Sequence, residues 1–169
     1  HTVIITEPDT VNLDDLLVCA FPNNTLSLPS SEGLFAWTPS DNLTDPTGYS
    51  TFYNGSENQD FVITQNNSGC VTTYYLHVDV LQFVSLTEDT VLCEPEEITL
   101  NASYYPTTAQ IAWSDTNNWG SNTMLNADSS DTDIDVVATE SGSYYVQISQ
   151  GSCAVADLVS VQLAQDQTT

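Results

Sequence analysis

The residues most suited to binding a metal form an acidic cluster in the second half of the chain. Asp128, Asp131, Asp133 and Asp135 lie within eight residues and are interleaved with Ser and Thr hydroxyls. Oxygen ligands of this kind suit Ca²⁺, which takes about six to eight of them. The spacing is not that of an EF-hand, because its Gly and its distal Glu are missing. One hypothesis is therefore a Ca²⁺ site. The other is an acidic turn that leads into a strand, on which Asp133 and Asp135 are exposed to solvent.

Residues suited to catalysis are scarce. His77 is the only histidine in the interior of the sequence, and it alternates with Asp79 in a pattern that predicts two exposed strand residues. The chain contains no G-x-S-x-G, no H-E-x-x-H and no Gly-rich phosphate loop. A glycosidase-type carboxylate pair requires a deep cleft, for which two small domains leave little scaffold. We therefore predict that the chain is not an enzyme and that it uses no cofactor other than, on the first hypothesis above, Ca²⁺.

One tryptophan is a candidate contact for a partner. Trp119 lies in the sequence Asn-Asn-Trp-Gly, which is typical of a loop. An exposed indole can stack on a sugar or anchor a protein partner. The alternative is that Trp119 covers an edge of the fold.

The charge balance excludes several classes of partner. The chain has 23 Asp and Glu residues, no Lys and no Arg, and its net charge is −23. Such a surface repels nucleic acid and anionic lipid, so we predict no nucleic-acid binding. The sequence contains no run of about 20 apolar residues, which a membrane-spanning helix would need. The same composition removes every trypsin-type cleavage site, which suits a protein outside the cell.

The four cysteines indicate an oxidising compartment. Cys19, Cys70, Cys93 and Cys153 form no C-x-x-C pair and have no zinc-site spacing. The simplest explanation of the four cysteines is two disulfides in an extracellular or cell-surface protein. The alternative is four buried thiols.

The elements that must position these residues are strands. Short alternating runs of Val, Ile, Thr, Tyr and Phe are separated by Asn, Asp, Ser, Gly and Pro clusters, which is typical of an all-β chain. In the run from Tyr74 to Val80, the alternation predicts that Tyr74, Leu76, Val78 and Val80 face a core. The predicted strands are residues 2–6, 16–20, 25–28, 34–38, 59–65 and 71–81 in the first half, and 83–87, 97–103, 110–114, 132–139, 143–150 and 154–164 in the second.

The two halves of the chain repeat each other. Cys19 precedes Trp37 by 18 residues, and Cys93 precedes Trp113 by 20. Each Trp is followed by a polar stretch, an aromatic-led strand, a second Cys in a turn and a long last strand. The Trp residues are predicted to be the central core aromatics. Of the three connectivities that four cysteines allow, the repeat favours Cys19–Cys70 and Cys93–Cys153, since each pair closes one half.

The repeat predicts two domains, residues 1–81 and residues 82–169. The sequence at the boundary, Leu-Gln-Phe-Val, contains neither Gly nor Pro. We therefore expect the last strand of the first domain to run almost directly into the first strand of the second, which predicts a short, stiff joint.

These motifs resemble a known family. The stretch from Trp37 to Pro46, W-T-P-S-D-N-L-T-D-P, is followed by F-V-I-T at 61–64 and by Gly69-Cys70. It resembles the immunoglobulin-like (Ig-like) or PKD-like repeats of Bacteroidota surface proteins, which combine a W-x-P-x-x-x-L-x-D-P stretch with a Y-x-V-T strand and a G-C turn. The second half, with E-S-G-S-Y-Y-V at 140–146, is similar to a sister version. The resemblance implies two tandem Ig-like β-sandwich domains, each with one disulfide.

The chain departs from these families in two ways. The N-D-x-S-P stretch that marks PKD domains is absent. In antibody-type domains a disulfide crosses between the sheets, but here Val146 stands where the second of those cysteines would be, and Cys153 comes seven residues later. Each disulfide is therefore expected at one end of its sandwich, where it would join the approach to the second strand to the last turn.

The family also implies modification sites. Bacteroidota proteins carry O-glycans at a short Asp-Thr-apolar signal, which Asp9-Thr10-Val11 and Asp89-Thr90-Val91 match. Thr10 and Thr90 are therefore candidate glycosylation sites, with the alternative that Thr90 simply begins a strand.

Two functions follow from these observations. The first is a structural repeat segment of a large adhesin or filament that acts as a stiff acidic spacer, with neighbouring repeats as its partners. The resemblance points to adhesins exported by the type IX system, which serve adhesion or gliding motility. The second is a module that binds a glycan, a protein or Ca²⁺ through Trp119 or the acidic cluster.

Overall fold

The structure, a computed structural model, describes residues 9–19, 24–116, 125 and 128–164. The prediction of an all-β chain is confirmed. None of the described residues forms a helix that is long and apolar enough to span a bilayer. The strands are β1 (Asp9–Asn12), β2 (Leu16–Cys19), β3 (Asn24–Ser27), β4 (Leu34–Thr38), β5 (Ser50–Tyr53), β6 (Gln59–Asn67), β7 (Cys70–Leu86), β8 (Thr90–Leu92), β9 (Glu96–Tyr105), β10 (Gln110–Ser114), β11 (Asp133–Ala138), β12 (Gly142–Gln150) and β13 (Cys153–Leu163).

The chain divides into two compact units, residues 1–80 and residues 81–169. This division lies one residue before the predicted boundary and falls inside β7. The earlier residues of β7 pair with β6, whereas its last residues pair with β9.

The first unit has the strand plan of an Ig-like sandwich. One sheet contains β4, β6 and β7 in antiparallel order, and both β1 and β2 pair with β7. Strand β1 runs parallel to β7. The second sheet consists of β3 and β5, which pair antiparallel. Two sheets that pack face to face over one core are a feature of the Ig fold.

The core of the first unit lies between these two sheets. Trp37 of β4 is 3% exposed and meets the ring of Phe61 edge-on, with a centroid separation of 5.7 Å. Tyr53 of β5, in the other sheet, contacts Phe61 in the same way at 5.6 Å. Alternation along β7 fills the rest of this core. The prediction that Tyr74, Leu76, Val78 and Val80 face inward is confirmed.

The second unit repeats this plan. Strands β10, β12, β13 and β8 form one sheet, in which β8 is parallel to the last strand, β13. Strands β9 and β11 pair in another, and the end of β7 adds to β9. Trp113 of β10 lies opposite Val146 of β12 and is fully buried. Both tryptophans thus occupy the same strand of their units and serve as core aromatics, as predicted.

The predicted disulfide pairs are wrong. Cys19 and Cys153 are each in a disulfide, whereas Cys70 and Cys93 are free and exposed. Neither Cys19–Cys70 nor Cys93–Cys153 exists, so the expectation of one disulfide closing each domain is corrected.

Strand pairing explains why Cys93 and Cys153 cannot meet. Cys93 directly follows β8, whose Leu92 pairs with Leu163 at the end of β13, and Cys153 is the first residue of that strand. Ten residues of extended chain separate the two positions, which is about 33 Å at about 3.3 Å per residue. A disulfide joins Cα atoms that lie about 4.4–6.8 Å apart.

The first unit separates its cysteines in the same way. Cys70 begins β7, and Asp9 of β1 already pairs with Thr72. Because β1 is parallel to β7, the chain moves away from Cys70 as it continues into β2, which ends at Cys19. We call Cys19 and Cys93 the first-position cysteines and Cys70 and Cys153 the second-position cysteines. In the second unit these positions mark opposite ends of the last strand.

Candidate functional site

The strongest polar constellation of the described residues is a histidine held between two carboxylates on β6 and β7. Asp60 lies directly opposite His77 in the antiparallel pair. Asp79 lies two residues further along β7 and therefore on the same face. The Nδ1 atom of His77 lies 2.5 Å from Oδ1 of Asp60, and its Nε2 lies 3.0 Å from Oδ1 of Asp79.

A tight turn sets the register that brings Asp60 to His77. Asn67 pairs with Cys70, so Ser68 and Gly69 form a two-residue hairpin turn. Both have positive φ, 52° at Ser68 and 94° at Gly69, as a type I′ turn requires. Sequence reasoning placed His77 and Asp79 together on the wet face but missed Asp60. If Ser68 and Gly69 are taken as a two-residue turn, counting residue pairs away from the turn along both strands places Asp60 opposite His77.

Asn58 supports the far side of this constellation. Its Nδ2 donates to Oδ1 of Asp79 at 3.3 Å, and its Oδ1 accepts a hydrogen bond from the backbone N–H of Val80 at 2.8 Å. Asp79 is thereby held in place towards His77, and its side chain is 23% exposed, against 84% for Asp60.

The two carboxylates favour the protonated imidazole. The hydrogen bond to Asp60, together with that to Asp79 and the charges of both, raises the pKa of His77 above its usual value, and burial opposes this only in part. Both ring nitrogens already have a carboxylate partner. The constellation is therefore a clamp across two strands, in which each ring nitrogen of the imidazole contacts one carboxylate.

The structure does not bring the four predicted calcium ligands together. Asp128 and Asp131 form a turn in which Oδ1 of Asp128 accepts from the N–H and the hydroxyl of Ser130, each at 3.0 Å. Oδ2 of Asp131 accepts from the N–H of Asp128 at 2.8 Å. Asp133 and Asp135 are exposed residues of β11, as the alternative hypothesis expected. Within the described ranges, no group of three or more acidic, His or Cys residues could hold a metal ion.

The remaining candidate residues stay predictions. Trp119 lies outside the described residues. Thr10 is an exposed residue of β1, and Thr90 is a half-buried residue of β8. Strand β8 begins at Thr90, and Oδ1 of Asp89 accepts a 2.8 Å hydrogen bond from the N–H of Ser160.

The motif that carries the family resemblance has a structural role. The indole N–H of Trp37 donates to the carbonyl oxygen of Gly48 at 2.8 Å, and its backbone N–H donates to the carbonyl oxygen of Pro46 at 2.9 Å. Oδ1 of Asp45 accepts from the N–H of Thr47 at 3.0 Å and from its hydroxyl at 2.8 Å. These hydrogen bonds hold the pKa of Asp45 below its usual value. The D-P-T-G turn therefore fixes the core tryptophan.

Comparison with known proteins adds structural neighbours only. No protein-family model matches the chain, and no curated protein sequence matches it. The chain is similar to extracellular domains 3–5 of Drosophila OTK, with 12% identity and a TM-score of 0.41 over 91% of this chain and 60% of that one. It is also similar to an E-to-A variant of titin domains I67–I69, with 13% identity and a TM-score of 0.41 over 94% of this chain and 63% of that one. A third neighbour is the four N-terminal Ig domains of Dscam1 isoform 9.44, with 10% identity and a TM-score of 0.40 over 94% of this chain and 44% of that one. The chain spans less than two thirds of the length of each of these three structures.

Proposed function

We propose that the chain is a structural repeat segment of a large extracellular adhesin or filament. The observation that carries this proposal is the repetition of one strand plan in two units. Each unit has a buried Trp on the same strand and two cysteines. Stacked copies of one module form a quasi-one-dimensional array, which suits a protein that extends away from an anchor.

The surface chemistry supports a spacer. With 23 carboxylates and no Lys or Arg, neighbouring molecules repel each other and remain soluble. Trypsin-like proteases find no cleavage site. The disulfide-bonded Cys19 and Cys153 favour an oxidising, extracellular location. The best-formed polar constellation, around His77, is a clamp and not a reactive centre.

The resemblance narrows the proposal. W-x-P-x-x-x-L-x-D-P repeats followed by a G-C turn point to Bacteroidota adhesins that leave the cell by the type IX system. In that setting the segment would act as a stiff acidic spacer in adhesion or gliding motility, with neighbouring repeats as its partners. Surface glycans or proteins would then be bound by other parts of the adhesin.

A replacement experiment tests the spacer function. In the parent gene, the codons for this segment are replaced by two unrelated β-sandwich modules of similar length, and a strain that lacks the segment serves as the control. A spacer predicts that the replacement restores adhesion or gliding that the deletion reduces. If the hybrid protein reaches the surface in normal amount but adhesion stays at the level of the deletion strain, the segment itself binds a partner and the proposal is wrong.

A further inference from the structure

The two cysteines of the second unit lie too far apart to bond to each other. In the second unit the first-position and second-position cysteines lie at opposite ends of the last strand, about 33 Å apart by its strand rise. No movement of side chains closes that distance. The two cysteines of this folded unit therefore cannot form a disulfide with each other.

Both positions nevertheless form disulfides in this fold. Cys19, a first-position cysteine, and Cys153, a second-position cysteine, are each disulfide-bonded. Their counterparts in the repeat, Cys93 and Cys70, are free and exposed. Cys70 begins β7 directly after the Ser68-Gly69 turn, and Cys93 directly follows β8, so both thiols lie at the ends of strands where another molecule can approach.

We infer that Cys93 and Cys70 are connectors to further copies of this module. The first-position Cys93 bonds to the second-position cysteine of one copy, and the second-position Cys70 bonds to the first-position cysteine of another. This inference rests on the proposed function, because it requires that the module occurs in an array. It adds that disulfides link the modules of the array to one another.

The chemistry of each link is the oxidation of two thiols. One S–S bond forms and two S–H bonds break, which releases two protons and two electrons. A disulfide oxidant of the extracellular compartment, such as the active-site disulfide of a thiol oxidoreductase, takes up the electrons and protons and becomes a dithiol. In the test tube, glutathione disulfide serves as this oxidant and yields two glutathione molecules.

Complementary variants test the inference. Cys70→Ser retains only Cys93 as a free thiol, and Cys93→Ser retains only Cys70. Each purified variant, and an equal mixture of the two, is incubated in a glutathione redox buffer and separated by non-reducing electrophoresis. We expect the mixture to form a disulfide dimer, each variant alone to remain monomeric, and the wild-type chain to form a ladder of dimers and longer species.

The identity of the bond is read by mass spectrometry. Because the chain has no Lys or Arg, peptides are made with proteases that cleave at Asp and Glu. The dimer of the mixture is expected to contain a Cys93–Cys70 peptide pair. The double variant Cys70→Ser/Cys93→Ser is the matched control, which should remain monomeric with an unchanged melting temperature, since both thiols are exposed.

Two results would overturn the inference. One is that either single variant dimerises as readily as the mixture, which would mean indiscriminate thiol pairing. The other is that the wild-type chain accumulates only as a glutathionylated monomer. If no specific disulfide forms but the module replacement restores adhesion, the segment is a spacer in an array without disulfide links. If the disulfide dimer forms but the module replacement does not restore adhesion, the modules are linked and also bind a partner themselves.

Discussion

The hydroxyl of Tyr74 donates a 2.7 Å hydrogen bond to Oε1 of Gln65, and both side chains are buried. On its other side, Nε2 of Gln65 donates to the carbonyl oxygen of Glu32 at 2.5 Å and to Oγ of Ser30 at 3.3 Å. One buried amide thus links β7, β6 and the segment that precedes β4. Its polar atoms are satisfied only because all of these elements are in place.

The first prediction concerns this link. Tyr74→Phe leaves Oε1 of Gln65 buried without its donor, which should lower the free energy of unfolding by about 1–3 kcal/mol. Tyr75→Phe is the matched control, because Tyr75 is the next residue on the strand and is 45% exposed. Urea unfolding monitored by tryptophan fluorescence measures both. Equal stabilities of the two variants would show that the buried hydrogen bond contributes nothing.

The second prediction concerns Gly55. A Cβ atom added here would overlap the phenol ring of Tyr53, which is fully buried and whose hydroxyl donates to the carbonyl oxygen of Glu57 at 2.5 Å. Because the ring is buried and its hydroxyl is hydrogen-bonded, Gly55→Ala should cost about 1–3 kcal/mol through overpacking. At Gly142 an added Cβ would meet no atom within 4 Å. Gly142→Ala should therefore leave the melting temperature nearly unchanged, and a similar loss in both variants would contradict the steric explanation.

The third prediction concerns the pH dependence of stability. The pKa of His77 is raised in the folded chain above its ordinary value of 6.5, first of all by the hydrogen bond to Asp60. A group whose pKa is higher in the folded chain than in the unfolded chain stabilises the folded state. This contribution is complete at a pH below the pKa of the unfolded chain, and it is lost as the pH rises through the pKa of the folded chain. The melting temperature of the wild type should therefore exceed that of His77→Gln most at about pH 5, and the excess should shrink towards about pH 9.

A direct titration checks the cause of this pH dependence. NMR of the His77 ring protons should give a pKa above 6.5 in the wild type and a smaller increase in Asp60→Asn. A gap between wild type and His77→Gln that is the same at every pH would mean that the clamp acts by packing and not by charge.

The fourth prediction concerns calcium. The carboxylates of Asp128 and Asp131 are occupied by donors of their own turn, and Oδ1 of Asp135 accepts from the hydroxyl of Thr99 at 2.6 Å. We expect neither millimolar Ca²⁺ nor EDTA to change the melting temperature. A ligand that binds only the folded state would raise it with concentration. A rise that saturates with Ca²⁺ and disappears in Asp131→Asn would establish the metal site after all.

Much of the fold could be predicted because its signals are local. Alternation along β7 identified the inward-facing residues from Tyr74 to Val80, and the two Cys-to-Trp spacings revealed the repeat. The irregular stretch after Trp37 gave no strand pattern, yet it packs closely. Leu43 forms a β-bridge with Tyr53, and the turn from Asp45 to Gly48 holds the tryptophan. Such loop geometry depends on hydrogen bonds to distant residues, which periodicity does not reveal.

The cysteine pairing and the histidine clamp could not be predicted for the same physical reason. Both depend on the position at which one strand pairs along another. Spacing alone suggested that Cys93 and Cys153 close one domain, but the parallel register of β8 with β13 places Leu92 beside Leu163 and not beside Cys153. Likewise, Asp60 is 17 residues from His77 in the sequence, and only the antiparallel register makes them neighbours.

The parallel pairing of an early strand with the last strand has a mechanical consequence for each unit. Strand β1 pairs with β7 at four positions, and β8 pairs with β13 at three. Because paired strands that point the same way have their free ends at opposite sides, pulling on the two ends of a unit would load these backbone hydrogen bonds in shear. They would have to rupture together, whereas antiparallel strands pulled from one side peel apart one bond at a time. The resistance of each unit to stretching should therefore depend on these few parallel pairings.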